Sequence, residues 1–85
     1  MRLVMRRMLN KLLAEGELTP SQAEQVRQIK WRPRLFGTLA DRVNEKADDE
    51  GFDTQALGDG ELLKWLWENR EAILAFIRQI VELFS

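Results

Sequence analysis

ELLKWLWENREAILAFIRQIVELF, residues 61–84, is the densest run of large apolar side chains in this 85-residue chain. Its spacing decides the fold class. Leu62, Leu66, Asn69, Ile73, Phe76, Ile80 and Leu83 recur in a strict four-three alternation, the mark of a helical seam. A second set, Leu63, Trp67, Arg70, Leu74, Ile77, Val81 and Phe84, keeps the same alternation one residue on. Two adjacent seams make an apolar arc of roughly 200°, wider than the ~100° stripe of an ordinary surface helix. Lys64, Glu68, Glu71, Arg78 and Glu82 fill the narrow face that remains. The spacing predicts one long helix over 61–84 that needs neighbours on two sides. The residues expected to meet them are Leu62, Leu66, Asn69, Arg70, Ile73, Phe76, Ile77, Ile80, Leu83 and Phe84.

Working outward, the chain is short enough for one domain, 1–85, with a core that is marginal without a staple. With no cysteine and no histidine, neither a disulfide nor the usual zinc site supplies one, so an oligomeric bundle is the expected staple. The formal charge of −1 hides an asymmetry. Residues 1–34 carry eight Lys/Arg against three Asp/Glu, and residues 35–61 carry two against eight. A basic end and an acidic middle point either to self-complementarity or to a polyanionic partner.

The first 31 residues read as a helical hairpin. Arg2 to Glu15 presents Met1, Met5, Met8, Leu9, Leu12 and Leu13 on one face, and Gly16 is expected as the left-handed stop. That face suits core packing, and its methionines would equally suit an adaptable docking surface. Leu18-Thr19-Pro20-Ser21-Gln22 then supplies a staple residue, an N-cap, a proline at the first helical position and a glutamine at the third. The second helix runs to about Lys30 with Ala23, Val26 and Ile29 inward. The run Leu12 to Thr19 followed by Gln22 resembles the hairpin of short bacterial oligomerisation domains of the SHOCT type, with Ala23 where that family carries an aromatic residue.

Pro33 ends the second helix, because proline pushes its predecessor out of helical geometry. Lys30, Arg32 and Arg34 around Trp31 could hold phosphates with a base stacked on the indole. The competing expectation is a clasp in which an arginine covers a half-buried Trp31. Thr38 is expected to open a short third helix over 38–50, with Leu39, Ala40, Val43 and Ala47 inward and Asp48, Asp49 and Glu50 crowding its end. Residues 51–60 read as a linker anchored by Phe52 and Leu57, with Asp59 capping the long helix. Their acids do not fit the spacing of a calcium loop.

These readings exclude more function than they select. Without His, Cys or Tyr, and with only Ser21 and Ser85 as serines, no nucleophile–base pair can be drawn, and no enzyme is expected. No Gly-rich phosphate loop is present, and no cofactor or metal is expected. Arginines replace the apolar core of a signal peptide near Met1, and charges interrupt the only run long enough to span a bilayer. The first expectation is therefore a non-catalytic structural or assembly protein that self-associates or docks on a larger complex through its C-terminal helix. The segment Trp65 to Ile77, W-x-x-x-N-R-E-x-I-L-x-F-I, resembles tails of small phage-encoded helical proteins. That resemblance implies a virion or phage-assembly component, located in the cytoplasm or within a viral particle. The alternative is a small nucleic-acid-binding regulator using the basic hairpin and the Trp31 cluster, binding weakly and without sequence preference.

Overall fold

The Thr19–Gln22 box organises the first half of the molecule. In the computed structural model, which describes residues 1–85, the Gln22 amide donates to Thr19 Oγ1 at 3.1 Å. The Thr19 amide donates back to Gln22 Oε1 at 3.0 Å. This reciprocal cap starts α2 (Pro20–Trp31) and turns it back along α1 (Arg2–Glu15). Between them the stop differs from expectation. Gly16 is right-handed at φ −79°, and the left-handed residue is Glu17 at φ 51°. Gly16 is required for closeness instead, since a Cβ there would sit 2.5 Å from the Leu12 carbonyl oxygen.

The third helix is longer than its expected 38–50 and begins earlier. α3 spans Pro33–Asp49, so Pro33 both terminates α2 and starts α3. The physics favours this: Arg32, forced extended at φ −115° and ψ 103°, acts as the joint, and proline suits the first helical position. Thr38 therefore lies inside the helix, its hydroxyl donating to the Arg34 carbonyl at 2.9 Å. The extra turn buries Leu35 and Phe36 beside the expected Leu39, Ala40, Val43 and Ala47. At the far end Gly51 takes φ +78°, and Phe52 N–H reaches the Ala47 carbonyl while Gly51 N–H reaches that of Asp48. This Schellman arrangement satisfies the last carbonyls of a helix whose end is crowded with acids.

The expected long helix is two. α4 (Asp59–Glu68) and α5 (Arg70–Leu83) meet at Asn69, whose φ −102° and ψ 20° leave helical geometry. Asp59 is the first helical residue, with Gly58 in the cap position. The break lets the halves choose different neighbours: α4 packs on α1, whereas α5 packs on α2 and α3. A straight helix over residues 59–83 would be ~37 Å long at ~1.5 Å per residue. With the break, the longest axis of the folded molecule is 33 Å.

The core is formed by 20 buried residues, all of them apolar. Val4, Met5, Met8, Leu9 and Leu12 of α1 meet Leu62, Trp65 and Leu66 of α4, so the inner methionines are core and not a docking face. Val26 and Ile29 meet Ile73, Ile77, Ile80 and Val81, with α3 closing the other side. Each such aliphatic side chain contributes about 1.5–3 kcal/mol when fully buried. The three ion pairs, Lys11–Glu15, Arg27–Glu24 and Lys46–Glu50, join residues on the same or adjacent turn. Exposed pairs of that kind contribute about 0–1 kcal/mol each, so apolar burial dominates.

That core takes up most of the expected interaction face. Leu62, Leu66, Ile73, Ile77 and Ile80, read as partner-facing, are at most 4% exposed within the single chain. Phe76 and Phe84 are half-buried against the same core, and only Leu83 projects, at 75% exposure. Trp65, which belongs to neither seam, is buried with its ring 5.7 Å from that of Phe52.

Candidate functional site: the basic end of the bundle

The one-residue joint at Arg32 places the last turn of α2 beside the first turn of α3, and the first turns of α1 come to the same place. There a cleft of about 190 Å³ is lined by Arg2, Leu3, Arg6, Lys30, Pro33 and Phe36. Three cations line it and no acid does. Phe36 is its floor: the Arg2 and Arg6 guanidinium carbons lie 5.8 and 5.1 Å from the ring centroid. Such cation–π contacts hold the guanidinium planes in place while leaving their N–H edges open. Gly37 admits Arg2, because a Cβ at that position would stand 3.3 Å from an Arg2 terminal nitrogen.

The rim carries the residues singled out in the sequence. Lys30 Nζ lies 5.3 Å from the Trp31 ring centroid. Trp31 is 73% exposed and not clasped by an arginine, which corrects the expectation of a half-buried, covered indole. Arg34 leans instead over Phe84 at 5.9 Å, bringing the end of α5 to this end of the bundle. Lys30 and Trp31 thus share the cleft's edge, Arg32 is the joint beside it, and Arg34 lies outside the cleft lining, against Phe84.

Electrostatics at this end are unbalanced. Of the eight Lys/Arg in residues 1–34, Lys11 and Arg27 form ion pairs, leaving Arg2, Arg6, Arg7, Lys30, Arg32 and Arg34 with no carboxylate within 4 Å. No side chain caps the start of α3, so its partial positive charge adds to theirs. Asp48, Asp49 and Glu50 stand at the opposite end of α3, ~24 Å away at the rise of a helix. The charges therefore run with the helix dipole at both ends, the unfavourable sense. Like charges held together without partners favour an anion from outside.

No protein-family model, curated protein or solved structure matches the chain. No three acidic side chains converge closely enough to hold a metal ion, and no helix is long and apolar enough to cross a membrane.

Asn69 and Arg70, the polar residues that interrupt both seams, bond to carbonyls of α4 at its junction with α5. Asn69 Nδ2 donates to the Trp65 carbonyl at 2.8 Å, capping α4 where it stops. Arg70 Nη1 donates to the Trp67 carbonyl at 2.9 Å and lies 4.9 Å from the Trp67 ring. Both side chains satisfy carbonyls at the broken end. Asn69→Leu removes that cap and restores a seam residue, which favours a continuous helix whose α4 half can reach only a second copy's α1. Native mass spectrometry of the variant is expected to show a larger dimer fraction than the wild type. An unchanged monomer-to-dimer ratio would mean that packing alone imposes the break.

Sequence reasoning found Lys30, Trp31, Arg32 and Arg34 but not Arg2, Leu3 and Arg6, which are brought in from across the hairpin. The available signal was the charge count over residues 1–34; the fold was needed to show which of those cations converge.

Proposed function

We propose that this chain is a small non-catalytic binding module that takes the phosphate backbone of a nucleic acid on the basic end of its bundle. One observation supports this above the others: a concave site lined by Arg2, Arg6 and Lys30, with no acid in its lining and no ion pair to any of the three. Guanidinium and ammonium groups held in this way suit phosphate oxygens, which accept charge-assisted hydrogen bonds from several donors. At ~190 Å³ the cleft falls below the ~300–1,000 Å³ usual for whole small-molecule ligands, so it fits a group on a larger partner. The test is titration of a labelled 20-nucleotide strand and its duplex at low ionic strength. Saturable binding of either supports the reading, and failure of both to bind contradicts it.

A second reading, the structural or assembly protein, gains from a different observation. Leu3, Trp31 and Leu83 are 60%, 73% and 75% exposed, and all three lie at the ends of helices that meet at the basic end. An acidic protein surface, including the Asp48–Glu50 region of another copy, would cover them with complementary charge. This reading no longer draws on the C-terminal seam, whose residues serve the core.

A further inference from the structure

We infer that the basic end is built for single-stranded nucleic acid, with one phosphate seated between Arg2, Arg6 and Lys30 and the adjoining base stacked on Trp31. The inference rests on the nucleic-acid reading above and narrows it to a strand type and a binding pose.

Trp31 carries the distinction. An indole 73% exposed at a helix end has an open face, and stacking on such a face requires a base that is already unpaired. A duplex keeps its bases stacked on one another and presents only groove edges and phosphates. Lys30 links the two subsites: its ammonium lines the cleft and stands 5.3 Å from the Trp31 ring centroid. A nucleotide whose phosphate meets Lys30 therefore has its neighbouring base within reach of the indole. Leu3, 60% exposed on the cleft wall, adds an apolar shoulder beside the seated sugar–phosphate.

The shape of the site argues against a duplex as well. Groove readers lay a helix along the groove and spread phosphate contacts over both strands. Here the cleft's three cations come from the start of α1 and the end of α2 and converge on one concave site. Readout of base edges is absent, so oligothymidine and oligocytidine should bind within a few-fold of each other.

Fluorescence anisotropy with labelled dT12, a 12-base-pair duplex and unlabelled inorganic polyphosphate as competitor tests the pose, using the wild type and Trp31→Ala. Because Trp31 lies outside the core, the variant folds, and circular dichroism verifies it. The expected result is tighter binding of dT12 than of the duplex, weakened roughly ten-fold by Trp31→Ala, with the polyphosphate competition constant unchanged. Equal affinity of the two proteins for dT12, or preference for the duplex, overturns the single-strand pose while leaving phosphate binding at the basic end intact. Failure of every polyanion to bind overturns both. If instead the wild type self-associates through its acidic end, its mass rises with concentration and polyphosphate disperses it without dT12 binding, which also overturns the pose.

Discussion

Ile73→Asp/Ile80→Asp is expected to unfold the chain outright at room temperature. Ile73 is fully buried and Ile80 is 4% exposed, in the face of α5 that packs on α2 and α3. No buried polar side chain lies nearby to receive a carboxylate, since the core contains none. Each substitution loses about 2–5 kcal/mol of aliphatic burial and adds several kcal/mol for desolvating a charge without a partner. A chain of this length is stable by only ~4–13 kcal/mol, so two such losses exceed what is available. Had α5 faced a second copy, the same change would have left a folded single chain. Far-UV circular dichroism separates the outcomes: loss of the helical signal is expected, and a helical protein of halved mass would contradict the closed core.

Arg2→Glu/Arg6→Glu/Lys30→Glu is expected to reduce nucleic-acid binding by at least roughly 100-fold at moderate salt. Hydrogen bonds to charged groups contribute about 1.5–3 kcal/mol each, and solvent screening trims the sum at an exposed site. Reversal then adds repulsion where attraction stood. The fold should survive, because the three side chains form no ion pairs and lose only cation–π contacts with Phe36 and Trp31, ~0.5–1 kcal/mol each. Reversing Arg42, Lys64 and Arg78, none of which lines the cleft, makes the same change in net charge and serves as the control. Equal losses in both variants would mean that net charge, not the cleft, governs binding.

Much of this fold is legible in the sequence. The all-helical class, the capping box and the α1–α2 hairpin follow from local chemistry, in which each residue's role depends on neighbours three or four positions away. The failures share a cause in longer-range physics. Pro33 signalled the end of one helix, but that it also begins the next depends on burying Leu35 and Phe36 against other helices. The double seam was real as a pattern of burial, yet a pattern cannot say whether its neighbours belong to the same chain. Asn69 stands out in the sequence as a polar interruption of the seam, and only the fold shows that it caps a broken helix end. The candidate site shows the same limit. Trp31 and its flanking cations stand together in sequence, but Arg2 and Arg6 become part of the site only when the hairpin closes and Gly37 lets Arg2 approach α3.

The salt dependence of binding tests the central claim most directly. The observed association constant for a labelled dT12 strand should be measured across a series of sodium chloride concentrations at fixed pH. Neutralisation of the phosphate seated between Arg2, Arg6 and Lys30, with up to two more met by Arg32 and Arg34, predicts that log K falls linearly with log salt, with a slope of about −0.7 to −2. A slope near zero, or no association at the lowest salt, would contradict the assignment of the basic end as a phosphate-binding surface.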